Sequence, residues 1–247
     1  MNSKIAFENI LFLDIETVPE TSSFEALSPD LQELFAHKTQ YQRNEETAAA
    51  DFYHRAGIWA EFGKIVCISV GFFTNAGLSQ FRIKSFYGDE KKLLIDFKSL
   101  LEHHFKDPQY LLCAHNGKEF DFPFIARRMI INQISLPEKL QLYGKKPWEI
   151  SHIDTLEFWK FGDYKHYSSL KLLTTILGIP SPKEDIDGSM VAEVYYKEND
   201  LKRIVRYCEA DVKAIAQLLL RFFNKPLMAK NAVVSTTDFE AFKELQN

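Results

Sequence analysis

Residues 10–15 (ILFLDI) form a nearly unbroken apolar run, the pattern of a strand buried on both faces of a sheet. Two further apolar stretches, 64–73 and 78–87, are joined by an Asn-Ala-Gly turn region and predict an antiparallel hairpin. Leu93, Leu94, Phe97, Leu100 and Leu101 then recur at helical spacing behind Asp89, which predicts a capped helix over 89–105. Residues 109–115 read as a fourth strand, and 119–133 as a helix with Pro123 in its first turn. A short extended piece is expected over 153–158, and a helix over 168–178 that stops at Gly178-Ile179-Pro180. Another helix follows Ser189, and a long one runs from Asp200 to about Phe223. Residues 20–60 read as a polar, helical insertion between the first two strands, and the tail from Asn224 is polar and weakly patterned. Strands interleaved with helices in this order predict an α/β fold, with one domain over 1–223 and a C-terminal tail over 224–247.

Composition narrows the classes. With 247 residues, 46% hydrophobic and 26% charged, the chain can build one large core and is neither disordered nor fibrous. Thirty basic against 34 acidic residues leave a net charge of −4, which excludes a nucleic-acid coat held by bulk positive charge. A bound polyanion must therefore meet local basic groups or metal ions. Cys67, Cys113 and Cys208 form no CxxC pair and read as reduced, mostly buried thiols of a cytoplasmic protein. The first residues show no signal segment and no apolar run reaches membrane length, so no membrane partner is expected.

Three segments carry candidate chemistry. Asp14 and Glu16 are two apart on a strand and project from the same face. Ionised together they repel each other and are costly to desolvate, and a divalent cation such as Mg²⁺ or Mn²⁺ relieves both; the alternative is a solvated pair at a strand end. The second segment, His115-Asn116-Gly117-Lys118-Glu119-Phe120-Asp121, ends at a helix start. There Asp121 serves as a cap as readily as a ligand. In the third, Asp211 falls on the apolar stripe of Leu201, Ile204, Val205, Cys208, Val212, Ile215 and Leu219, with Tyr207 one turn earlier. A carboxylate on a core-facing stripe needs a partner. A metal shared with Asp14 and Glu16 supplies one better than a buried Arg does. Lys202, Arg206, Glu209 and Lys213 occupy the opposite face.

LDIET, HNGKEFDFPFI and YCEADV, in that order, resemble the three motifs of the DEDD 3′–5′ exonucleases. They are most similar to the proofreading exonuclease of family B DNA polymerases and its stand-alone relatives. The likeness extends through SSLKLLTTILGIPSPK and IDGSMV, over roughly residues 8–223. Tyr207, with Arg206 where the histidine subgroup has its histidine, marks the tyrosine (DEDDy) subgroup. The resemblance implies an RNase H-like fold with a mixed five-stranded sheet. It implies that Asp14, Glu16, Asp121, Tyr207 and Asp211 are catalytic, and that the four acids hold two Mg²⁺ or Mn²⁺ ions. Such ions sit about 3.5–4 Å apart and clamp an in-line displacement, while Tyr207 orients the attacking water. The substrate would be a single-stranded or frayed 3′ end of DNA, cut to nucleoside 5′-monophosphates, with a DNA polymerase or repair protein as partner.

Substrate contacts are expected at Thr17, Val18, Asn116, Lys118, Phe120, Tyr167 and Ser169. Arg127, Arg128, Trp159, Tyr164, Lys165 and His166 are weaker candidates, because Trp159 suits a core and the arginines a solvated helix face. His37, His54, His103, His104 and His152 read as surface or core residues, and Asp154 and Asp187 as turn acids, with capping the better role for Asp187. Rival readings are an exoribonuclease, a non-catalytic nucleic-acid binding module, and a structural protein whose acids form buried ion pairs.

Overall fold

A computed structural model describes residues 5–44, 46–163, 167–180 and 186–239. The chain runs β1 (Ile10–Pro19), α1 (Pro29–Thr39), α2 (Ala49–Phe52), β2 (Gly63–Phe73), β3 (Phe81–Tyr87), α3 (Glu90–His104), β4 (Leu111–Ala114) and α4 (Asp121–Ile131). It continues through β5 (Ile153–Asp154), α5 (Thr155–Lys160), α6 (Leu170–Ile176), α7 (Val191–Glu193), α8 (Leu201–Phe222) and β6 (Val233–Ser235). The strands form one mixed sheet in the order β5-β4-β1-β2-β3-β6. β1, β2 and β3 are antiparallel neighbours, whereas β4, β5 and β6 each join in parallel.

β1 is central and covered on both faces, as its apolar run predicts. Leu11, Leu13 and Ile15 pack with Leu93, Leu94 and Phe97 of α3 and with Phe122, Ile125 and Met129 of α4. Ile10 and Phe12 point the other way, into Val212, Ile215, Ala216 and Leu219 of α8. The side chains of β1 thus alternate between two cores, and the α8-facing set continues into Asp14 and Glu16. A bulge follows at once: Glu16 pairs with Cys67 but Thr17 with Ile65, so Val66 is the extra residue. Bulges re-aim side chains beside sites of this kind. Here Val66 and Cys67 both turn toward Ile204, Val205 and Cys208 of α8.

Several expectations are corrected. The sheet has six strands rather than five, because Val233–Ser235 of the tail pairs with Phe81–Ile83. The stretch 153–158 is extended only at Ile153–Asp154; the Asp154 side chain caps the next turn at Leu156 and Glu157 and converts the rest to helix. The third strand begins at Phe81, since Leu78 has φ 54° and belongs to the turn. The insertion is helical as read, but it carries its own aromatic core of Phe24, Phe35, Phe52, Tyr53, Trp59 and Phe62. Asp89 caps α3 through Lys92 N at 2.9 Å, and Asp187 closes a turn on Ser189. All three cysteines are buried and free. No helix among the described residues is long and apolar enough to cross a membrane.

Candidate active site

Asp14 and Glu16, on the α8-facing side of β1, lie within electrostatic reach of Asp121 and Asp211. Asp14 is half-buried and Glu16 is 7% exposed. One ligand atom each of Asp14, Glu16 and Cys208 lies within 4.8 Å of the others. Asp121, the first residue of α4, is 3% exposed, and a backbone hydrogen bond from Ile15 ties its carboxyl to β1. α8 brings in Asp211, whose carboxyl accepts a hydrogen bond from Tyr207 one turn earlier.

Electrostatics show what this arrangement lacks. Burial pushes Asp14 well above its ordinary carboxyl value, and the charges of Asp211 and Asp121 push it further. Glu16 is raised likewise, by burial and then by Asp14 and Asp211. Burial is also the main cause for Asp121, pushed up to about 7, and for Asp211, pushed up to about 6 and restrained by the Tyr207 hydrogen bond. None of the ion pairs among the described residues involves these four acids. A divalent cation would supply the missing positive charge, and a set of carboxylate oxygens suits a hard cation. Cys208 is not part of that donor set. Burial keeps its thiol protonated, and its Sγ lies 3.3 Å from the Asp14 carbonyl and 3.5 Å from Asp14 Oδ2, as a donor to both. The Tyr207 hydroxyl is pushed far above its ordinary value by burial and by Asp211, Glu16 and Asp14, so it keeps its proton.

The sequence profile of the RNase H superfamily matches residues 55–222. The chain belongs to the RNase H superfamily. Its members are generally nucleases and typically use divalent metals. The matched span begins after β1, so Asp14 and Glu16 join the site from outside it. Among solved structures, the chain is similar to the family B DNA polymerase from the hyperthermophilic archaeon Pyrobaculum calidifontis, with a TM-score of 0.53 and 16% identity. That match covers 85% of this chain and 24% of the polymerase, so the likeness is one of fold over about a quarter of the larger protein. No curated protein matches the chain in sequence.

Around this RNase H-like centre the turn after β4 is tightly specified. Asn116 adopts a left-handed conformation with φ 65°. A Cβ on Gly117 would meet the Ala114 Cβ at 2.4 Å. Asp154 is 2% exposed and braces the loop: its carboxylate accepts from Asn116 N at 2.9 Å and Lys118 N at 3.1 Å while capping α5. His115 bridges Thr155 Oγ1 and the Ser168 carbonyl, both at 2.9 Å. Residue types alone gave Asp154 a turn role. Its second role becomes visible only once β5 lies beside β4.

The expected substrate residues divide. Tyr167 is 65% exposed, its ring lies edge-on to that of His115 at 6.4 Å, and burial of its hydroxyl together with the charges of Asp121, Asp154, Asp14 and Asp211 raises its pKa. Asn116 is half-buried on the loop, and Ser169 is exposed while its hydroxyl caps α6 at Leu172. Thr17 is half-buried with its Oγ1 donating to the Gly57 carbonyl at 2.7 Å, and the Val18 side chain is fully buried. Lys118 Nζ is paired with Glu157 at 2.8 Å, and Phe120 packs on Phe124. Trp159 is half-buried and stacks on Phe222. Arg127 is exposed on α4. Arg128 is not on a solvated face: it is 4% exposed and bonded to Glu90, Glu20 and the Ala60 carbonyl. His152 is a core residue between Leu112 N and the Lys139 carbonyl. Tyr164, Lys165 and His166 lie outside the described residues.

Proposed function

We propose that the chain is a metal-dependent 3′–5′ exonuclease of the DEDDy type, acting on single-stranded or frayed DNA ends and releasing nucleoside 5′-monophosphates. One observation carries the reading. Asp14 and Glu16 stand together on an RNase H-like sheet, Asp121 and Asp211 lie within electrostatic reach of them, a protonated tyrosine is bonded to Asp211, and none of the four acids has a cationic partner among the described residues. Asp14, Glu16 and Asp211 would hold the metal, with Asp121 at the edge of the set. When bound, divalent metal neutralises the acids and supplies Lewis-acid stabilisation to the phosphodiester oxygens.

The remaining steps belong to the chain. Tyr207 keeps its proton, so it orients the attacking water as a hydrogen-bonding group rather than as a base. Asp154 and Gly117 hold Asp121 in register through the loop that precedes α4. Tyr167 offers an exposed ring against His115, on the loop that leads to Asp121, on which a terminal base can stack. A recessed set of acids reaches a phosphodiester only when the strand end is unpaired, which favours single-stranded ends. The likeness to a DNA polymerase supports DNA over RNA.

The test is a 5′-labelled single strand, as DNA and as RNA of one sequence, incubated with Mg²⁺, Mn²⁺ or EDTA. Metal-dependent shortening from the 3′ end is expected, faster on DNA and abolished in Asp14→Ala and Asp211→Ala. A faster RNA ladder reassigns the substrate. No shortening with either metal, or variants as active as the wild type, overturns the catalytic reading.

A further inference from the structure

Glu209 belongs to the face of α8 that composition assigns to solvent, yet it is a hydrogen-bond hub. Its Oε1 accepts from Ser85 Oγ of β3 at 3.0 Å, from Ser235 Oγ of β6 at 3.0 Å, and from Thr237 Oγ1. Thr237 Oγ1 also accepts from Ser85 N at 2.9 Å, and Thr236 N donates to the Ile83 carbonyl at 2.8 Å, so the tail is laced along the edge of β3. Beyond it, the Phe239 ring sits under Lys202 and Arg206 of the same helix face, at 5.9 and 5.7 Å. The contacts continue inward. Ser85 Oγ meets Ser69 Oγ at 2.8 Å and Ser69 Oγ meets Cys67 Sγ at 3.5 Å, while Cys208, the donor to Asp14, packs in the same buried cluster as Cys67. Because the single Ser85 hydroxyl proton goes to Glu209, Ser69 donates to Ser85 and accepts from Cys67.

Helical geometry says what the anchor controls. At about 100° per residue, Tyr207 and Asp211 lie within about 40° of each other on one flank of α8. Cys208, Val212 and Ile215 face the sheet, and Glu209 lies on the opposite flank. The apolar stripe alone leaves roll about the helix axis weakly determined, since a slightly rotated stripe still buries its leucines and valines. We propose that Glu209, gripped by Ser85, Ser235 and Thr237, fixes the roll of α8 and so positions Tyr207 and Asp211 over Asp14 and Glu16. A roll of about 10° moves a side-chain tip about 6 Å from the axis by about 1 Å, a displacement that costs an active site up to about 10²-fold. The tail strand is thereby part of the catalytic apparatus although it touches no reacting atom.

This inference rests on the exonuclease reading for its effect on rate, so the experiment has an arm that does not. Glu209→Ala, Glu209→Gln and the double variant Ser235→Ala/Thr237→Ala are compared with wild type for kcat, KM and the ¹⁹F NMR spectrum of 3-fluorotyrosine-labelled protein. Tyr207→Phe assigns the Tyr207 line among ten tyrosines. Glu209→Ala and the double variant should lower kcat about tenfold or more with KM within about twofold, and should shift or broaden the Tyr207 line. Glu209→Gln, which keeps an acceptor oxygen at the same reach, should recover most of both. If Glu209→Ala does not fold, the double variant on the exposed tail decides. If wild type cuts no strand, the exonuclease reading fails and the fluorine line still decides the anchor. Wild-type kcat together with an unmoved Tyr207 line overturns the proposal, and an unmoved line alone does so where there is no activity to measure.

Discussion

Replacing Asp121 with Asn should stabilise the metal-free protein while weakening its metal site. Asp121 is buried at the start of α4, and burial with the nearby charge of Asp154 raises its pKa from the ordinary 3.8 to about 7. A carboxyl held above its unfolded value keeps its proton more tightly in the folded state. Stability therefore falls as pH rises from 3.8 through about 7, and the penalty is complete above that. At about 1.4 kcal/mol per pKa unit, the span corresponds to about 4 kcal/mol at pH 8. Asparagine carries no charge, and its carbonyl oxygen can still accept the Ile15 backbone hydrogen bond. For a chain of this size about 1 kcal/mol moves Tm by about 2–4 °C, so Asp121→Asn in EDTA should melt on the order of 10 °C higher at about pH 8 and no higher at about pH 4. Thermal unfolding followed by circular dichroism at the two pH values measures this. An unchanged Tm at the higher pH, or an equal rise at both, refutes the reasoning that the carboxylate is held there against its own charge.

Other outcomes follow from the same geometry. Mg²⁺ should raise the wild-type Tm at pH 8, by about 2.7 kcal/mol of stability at a hundredfold excess over Kd. The gain should shrink below about pH 6, where Asp121 and Asp211 take up protons, and vanish in Asp14→Ala. Tyr207→Phe should lower kcat by about 10²-fold or more with little change in Tm, because it removes a hydroxyl that bonds Asp211 and, on the exonuclease reading, would orient the attacking water, but keeps the ring; steady-state kinetics and a melt read both. Arg128→Ala should cost about 3–5 kcal/mol by leaving Glu90 buried without its charge partner. Arg128→Lys should not restore it, because Nε and Nη2 grip the Glu90 carboxylate as a fork while Nη1 bonds the Ala60 carbonyl and Nη2 also reaches Glu20; urea unfolding distinguishes the two.

Much of this site is written locally. Two acids at i and i+2 in an apolar strand, and an acid with a tyrosine at i−4 in an apolar helical stripe, are statements about periodicity, and periodicity survives folding. Asp14, Glu16, Tyr207 and Asp211 were legible for that reason, and so was the double burial of β1. Residues whose roles depend on partners far along the chain were not. Val233–Ser235 is too short to show a strand pattern and becomes one by pairing with Phe81–Ile83. Glu209 looks solvated from its own helix, and its three donors come from β3 and the tail. Arg128 looks like a surface helix residue until α3 and the insertion bring Glu90 and Glu20 against it. Thr17 follows the acids in sequence, but its bond to the Gly57 carbonyl depends on a partner 40 residues away. Scattered aromatics in the insertion gave no period, so their common core was hidden.

The central claim is that this RNase H-like acid cluster works from a free 3′ end. The most direct test pairs a 5′-labelled linear DNA strand with a covalently closed single-stranded circle of the same sequence, both with Mg²⁺. The account predicts a ladder shortening stepwise on the linear strand, nucleoside 5′-monophosphates as products, and an intact circle. A nicked circle, or internal fragments from the linear strand, would show an endonuclease and contradict it.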